Sequence, residues 1–254
     1  MLTAISAQAE PEALAAENGD IEVGAALPEG PLKVCYAPLP GFFEPDGDGS
    51  FEGLEFDLIS TFVDELGVEV TYQDPGDLAG TFRALEEATC DVAAANLTRT
   101  EERARKMDFS PTYFPVRILA VERKGSLTTR KEELAGRRIA VVRESTYEDA
   151  VASIPDVRMV PIHEAYDGFT EVLDGRADVA VCDSTLVLHY LDRYPDLTVT
   201  IPLSEREEMA FALPKNSPWT PLLSQFLDSW RDSGRLHQLY ACHYGEEGAK
   251  LLLE

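Results

Sequence analysis

Twice along this chain a helical pattern ends, turns, and enters a short apolar run through the same three residues. Leu85-Glu-Glu-Ala-Thr-Cys-Asp91-Val-Ala does so first, and Leu173-Asp-Gly-Arg-Ala-Asp178-Val-Ala does so again. Strands alternate with helices around both places. In the first half, Leu32–Tyr36 reads as a strand, and Leu58, Ile59, Phe62, Val63 and Leu66 then share one helical face closed by Gly67. Residues 68–72 form the next strand, Phe82, Leu85 and Ala88 mark another helix, and residues 91–95 form a third strand. In the second half, Arg138–Val142 is a strand, followed by a helix that Ser145 opens with Glu148 in capping-box spacing. A strand at 157–160, a helix through Phe169, Val172 and Leu173, and a strand at 178–182 complete that half. Strands alternating with helices of about ten residues predict an α/β fold: mainly parallel sheets flanked by helices.

Two units on one plan need connections. Residues 117–122 read as a strand leaving the first unit and 209–213 as a strand returning to it. This predicts a first lobe of residues 31–117 and 207–254, a second lobe of 118–206, and a two-strand hinge. Final helices over 221–230 and 236–240 would pack on the first lobe. The preceding residues 1–30 are small, acidic and aperiodic, and read as a flexible leader. Within them Ser6-Ala7-Gln8-Ala9 resembles an export cleavage site, although no basic or apolar signal region precedes it.

Charge removes several function classes. With 46 Asp+Glu against 22 Lys+Arg the net charge is −24, so nucleic acid and anionic membranes are poor partners. A chain of 254 residues that is 44% hydrophobic can bury a sizeable core, and its apolar runs fall short of the roughly 20 residues that span a bilayer. A soluble protein is expected. Cys35, Cys90, Cys182 and Cys242 are widely spaced without a CxxC pattern, and read as small, buried, free thiols rather than a disulfide framework or zinc site.

In open α/β sheets ligands bind beyond the carboxyl ends of the strands, and small-ligand pockets favour domain interfaces. Asn96-Leu-Thr-Arg-Thr-Glu-Glu-Arg103 follows the first Asp-Val-Ala strand, and Asp183-Ser184 follows the second. One lobe thus offers hydroxyls and the Arg103 guanidinium, which suits a carboxylate bidentately, and the other offers Asp183, which suits an ammonium. A zwitterion carries both groups on one carbon. Amides at the helix start near Ser145 and Thr146 could also hold its carboxylate. Each residue has a local reading as well. Arg103 could lie on a solvated helix face, Asn96 and Thr98 could shape a turn, and Asp183 and Ser145 could be helix N-caps.

The stretch Leu97-Thr-Arg-Thr-Glu-Glu-Arg-Ala-Arg-Lys-Met-Asp-Phe-Ser-Pro-Thr-Tyr-Phe114 resembles the "T-x-T-x-E-R-x-x-x-x-D-F-S-x-x-Y-Y" segment of family 3 extracellular solute-binding proteins, the polar-amino-acid receptors of ABC importers. Gly53-Leu-Glu-Phe-Asp-Leu58 resembles their "G-F-D-V-D-L", Leu134-Ala-Gly-Arg-Arg-Ile-Ala-Val-Val142 their "L-K-G-K-K-V-G-V", and Gly175-Arg-Ala-Asp-Val-Ala-Val-Cys-Asp183 their "G-R-V-D-A-V-V-x-D". The similarity covers about residues 31–245 in order. It implies a periplasmic binding protein-like II fold that closes on a small ligand, an amino acid or related carboxylate, and delivers it to a membrane permease. No catalysis and no cofactor or metal are implied, and an exported, monomeric receptor is expected. By resemblance, Arg103 with Thr98 binds the α-carboxylate, Asp183 accepts the α-ammonium, Thr146 lends an amide, and Asn96 supplies a backbone carbonyl.

The chain departs from that family where ligand side chains are recognised. Pro40 and Leu78 replace customary aromatics, Ala37 falls near a customary acid, and Glu144 replaces a glycine. Tyr36, Phe42 or Tyr147 offer an aromatic wall by another route. Two alternatives belong to other classes. The resemblance extends to cyclohexadienyl dehydratases, for which Glu144 is the candidate acid, and a sensory or accessory binding module would share the same sequence features.

Overall fold

The structure, a computed structural model, describes residues 27–47 and 49–253. The export-site resemblance and nearly all of the expected leader lie outside those residues. The elements begin with β1 (Leu32–Tyr36), β2 (Glu44–Pro45), β3 (Phe51–Glu52), α1 (Leu54–Leu66), β4 (Val70–Gln73) and α2 (Leu78–Glu86). Next come β5 (Val92–Ala94), α3 (Glu101–Lys106), β6 (Asp108–Phe109), β7 (Phe114–Val116) and β8 (Ile118–Arg123). The second half holds β9 (Arg138–Val142), α4 (Thr146–Ala152), β10 (Arg158–Ile162), α5 (Asp167–Leu173), β11 (Val179–Asp183) and α6 (Ser184–Tyr190). Then follow β12 (Leu197–Pro202), β13 (Glu207–Met209), β14 (Ala212–Leu213), α7 (Trp219–Ser233) and α8 (Arg235–Leu253). Two compact units result. Among the described residues, the first comprises those up to Gly76, Gly80–Phe114 and those from Met209 onward, and the second comprises Asp77–Ala79 and Pro115–Glu208.

The unit 1 sheet runs β4-β1-β5-β14-β6. Strands β4, β1 and β5 are parallel, and β14 pairs antiparallel with both β5 and β6. Unit 2 repeats the scheme as β10-β9-β11-β8-β12, with three parallel strands and β8 antiparallel to β11 and β12. In each unit, the strand antiparallel to the third parallel strand follows a passage of the chain between units.

The repeated Asp-Val-Ala has a structural cause. In unit 1 the Asp91 carboxylate accepts from the Lys33 backbone N–H at 3.0 Å, while the Asp91 N–H donates to the Lys33 carbonyl at 2.8 Å. In unit 2 the Asp178 carboxylate accepts from the Arg138 N–H at 2.9 Å, and the Asp178 N–H donates to the Arg138 carbonyl at 2.8 Å. The same two-bond clasp starts the first strand and aligns the third in both sheets. Small Val and Ala residues then fill the strands, which are buried on both faces, as parallel sheets require.

Helix α1 buries Leu58, Ile59, Phe62 and Val63 and ends at Gly67, whose φ of 64° is the left-handed cap conformation. Its first amides have no side-chain cap. The Phe42 carbonyl accepts instead from Glu55 and Phe56 at 2.9 and 3.1 Å. Gly53 permits this: at φ 117° an added Cβ would sit 2.5 Å from the Phe42 carbonyl carbon. Phe62 packs edge-on to Trp219 and lies 5.4 Å from Phe226, so α7 covers unit 1. Helix α7 runs longer than the 221–230 expected from sequence, and α8 continues beyond 240 through a break at Gly245.

The reading of four free, buried thiols is corrected. Cys35 and Cys90 form a disulfide with their Cα atoms 5.7 Å apart, within the bridging range. The cause is tertiary: Cys35 lies in β1, whose neighbour β5 begins just after Cys90, although 55 positions separate the two in sequence. Cys182 is buried and free, whereas Cys242 is free but exposed. The capping box at α4 is also altered. Ser145 Oγ accepts from the Tyr147 and Glu148 amides, but the Glu148 carboxylate accepts from Glu144 N–H, one residue before the cap.

Candidate functional site

In unit 1, the chain leaves β5 into a left-handed turn at Asn96, φ 54°. The Asn96 N–H donates to Glu55 Oε1 at 3.0 Å, and the next turn is tied to the returning strand by the Ala210 N–H to Leu97 carbonyl bond of 3.0 Å. Thr98 is buried and bridges to Met209. Thr100 caps α3 by accepting from Arg103 N–H at 3.2 Å, which fixes where the Arg103 side chain starts.

Arg103 does not lie on the solvated face. Glu101 and Glu102 form exposed i,i+4 pairs with Arg105 and Lys106, whereas Arg103 is half-buried. One Arg103 guanidinium nitrogen donates to the Thr98 carbonyl at 3.0 Å, and the guanidinium lies over the Phe82 ring at 5.0 Å. A carbonyl and an aromatic face therefore help aim the fork. The structure brings Thr98 and Arg103 together directly and joins Asn96 to them through the loop backbone. Phe82 appeared in the sequence only as a helix marker; nothing local distinguished its second use.

In unit 2, β9 ends at Val142, and Glu144 adopts φ 58° before Ser145 starts α4. Ser145 Oγ donates to the Val142 carbonyl at 2.6 Å and accepts from the first amides of the helix. Thr146 is the first residue of α4, just before those amides. Asp183 ends β11, is 2% exposed, and is the N-cap of α6: Oδ1 accepts from Leu186 N–H at 3.1 Å and from the Thr185 hydroxyl. Its Oδ2 accepts from the Tyr147 hydroxyl at 2.7 Å. Ser145 and Asp183 are thus linked through Tyr147. Burial, followed by the Asp183 charge and its hydrogen bond, pushes the Tyr147 phenol well above its ordinary pKa, so it stays a donor. The same burial and carboxylate hold the Cys182 thiol well above the usual range.

Two of the aromatic-wall candidates pack against other rings of unit 1, and the third bonds to Asp183 in unit 2. Phe42 is fully buried against Phe114, and Tyr36 stacks on Phe43 at 4.8 Å beside Phe51. Tyr147 serves Asp183. Glu55 accepts from the Asn96 amide and from the Tyr113 hydroxyl, two contacts that the sequence reading did not single out. Glu55 falls on the buried stripe of α1 with Leu58, Ile59 and Phe62, and an acid in that register is a signal that it serves a specific donor.

Residues 32–246 match the model of the bacterial extracellular solute-binding proteins, family 3. The chain belongs to that family. Its fold is the two-lobed α/β fold of type II periplasmic binding proteins. A solved structure of an ancestral arginine-binding protein bound to arginine superposes with a TM-score of 0.78 at 28% identity, covering 85% of this chain and 99% of that one. The probable histidine-binding protein of Neisseria gonorrhoeae is 25% identical over 94% of this chain and 93% of its own length. The membrane-bound lytic murein transglycosylase F of Idiomarina loihiensis is 28% identical over 96% of this chain but only 54% of its own. The chain spans about half the length of the transglycosylase F relatives it matches.

Proposed function

We propose that this protein is a receptor for a small α-amino acid, exported and serving an ABC-type importer. The observation that carries this is Arg103 in α3, held over Phe82 and hydrogen-bonded to the Thr98 carbonyl of the loop that follows the third parallel strand of unit 1. Carboxyl-end loops are where open α/β sheets bind ligands, and a pre-aimed guanidinium suits a carboxylate. Asn96 and Thr98 contribute polar groups on the same loop. In unit 2, Asp183 is the ammonium acceptor by resemblance, its carboxylate already oriented by Tyr147 and Thr185, with Ser145 and Thr146 supplying the start of α4. The arginine- and histidine-binding relatives support an amino acid without selecting one. The Cys35–Cys90 disulfide supports an oxidising compartment.

The test is thermal unfolding against a panel of amino acids and their deaminated acids. A ligand at 100 times its Kd stabilises by about 2.7 kcal/mol. A shift for one amino-acid class in the wild type that Arg103→Ala abolishes, with Arg103→Ala melting unchanged without ligand, supports the reading. An equal shift in Arg103→Ala refutes the carboxylate role.

The partial coverage of the transglycosylase F relatives favours a second reading, a ligand-sensing module for murein turnover. Murein-derived peptides belong in the same panel. A shift with them and none with free amino acids selects that reading.

A further inference from the structure

We infer that Glu55 and Tyr113 are positioning residues of the ligand loop, setting the backbone from which Thr98 and Arg103 act. This rests on the reading of that loop as the ligand-contacting segment of unit 1. Glu55 is 1% exposed, and its Oε1 is shared by the Asn96 N–H, at 3.0 Å, and the Tyr113 hydroxyl. Placing a carboxylate on the buried face of α1 carries a desolvation cost that an apolar side chain would avoid. What the acid does there is hold the amide of a residue in the left-handed region, which even Asn enters at a cost.

The clamp has a second side. Tyr113 stacks on Phe211 at 4.5 Å, and its backbone N–H donates to the Met209 carbonyl at 2.9 Å. Met209 is in turn the bridge partner of Thr98, and Ala210 donates to Leu97. Residues 96–98 are therefore fixed from α1 by Glu55 and from the returning strand by Met209 and Ala210. Tyr113 touches both holders, by side chain and by backbone. From this fixed loop the Thr98 carbonyl reaches Arg103. Burial first, and then the Glu55 charge, push the Tyr113 phenol well above its ordinary pKa, so it remains a donor at any physiological pH.

Three variants test this: Tyr113→Phe, which deletes one hydroxyl; Glu55→Gln, which keeps an oxygen acceptor; and Glu55→Ala. Amide hydrogen exchange is followed for residues 95–103 and, as an internal reference, for α7, and L-arginine, L-histidine and L-glutamine are titrated calorimetrically. Tyr113→Phe is expected to speed exchange in 95–103 about tenfold while α7 keeps wild-type rates, and to weaken the tightest of the three amino acids about tenfold. Glu55→Gln should fall between wild type and Glu55→Ala in both readouts. Unchanged loop exchange in Tyr113→Phe and Glu55→Gln, or an equal rise in the loop and α7, overturns the inference and makes the pair ordinary core residues. Should wild type bind none of the three, the amino-acid reading is decided by the wider thermal-unfolding panel, while loop exchange still decides the positioning role. Should Glu55→Ala fail to fold, the other two variants decide it.

Discussion

Removing the Cys35–Cys90 bridge should lower the stability of unit 1 by an amount that its loop length sets. The bridge closes a loop of 55 residues. In the chain-entropy account the denatured state then loses about 14 cal/mol/K, which is about 4 kcal/mol near room temperature. For a chain of this size that corresponds to a Tm lower by roughly 8–16 °C. Both sulfurs are fully buried, so Cys35→Ala/Cys90→Ala also loses packing. Cys182→Ala measures that second contribution, since Cys182 is equally buried but unbridged. The assay is thermal unfolding of wild type, the double variant and Cys182→Ala, each with and without reductant, beside a count of titratable thiols in denaturant. Two thiols in unreduced wild type and a drop in Tm well beyond twice that of Cys182→Ala are expected. Four thiols would remove the bridge altogether. A bridge that forms but whose loss costs no more than the packing control would refute the loop-entropy argument.

Two further predictions concern unit 2. The Arg138 guanidinium and backbone hold the Asp178 carboxylate below the usual carboxylate range, so its contribution is present above the unfolded value and lost as pH falls through the lower folded one. Asp178→Asn should therefore cost under about 1 kcal/mol at neutral pH, given the exposure of both side chains, with the difference vanishing in acid; a difference that grows on acidification contradicts this. Glu144 sits at φ 58°, where a side chain costs about 1–2 kcal/mol, partly offset in glycine by greater unfolded-state freedom. Glu144→Gly should raise stability by up to about 1 kcal/mol in denaturant titration, and a loss would show that the Glu144 side chain holds the turn.

Much of the architecture was legible in sequence because it is written in local periodicity. The α1 stripe with Gly67 behind it reports burial every three or four residues, and the paired Asp-Val-Ala signals mark equivalent strands because one backbone clasp serves both sheets. The order of the motifs also placed Asn96 and Thr98 after β5, Ser145 and Thr146 after β9 and Asp183 at the end of β11, since segments at strand ends follow directly from where the strands end. What these side chains do is another matter. Asn96 meets Glu55 across 41 positions, Tyr113 meets Glu55 across 58, and Tyr147 meets Asp183 across 36. The Cys35–Cys90 bridge and the Phe82 ring beneath Arg103 are likewise products of strand order and helix packing. A lone sequence carries no periodic trace of such pairs, because the energy that selects them comes from burial and geometry that exist only after the chain has closed those loops. The pattern of the fold was therefore determined by the sequence alone, and the partners that give each polar residue its role were decided by the tertiary structure.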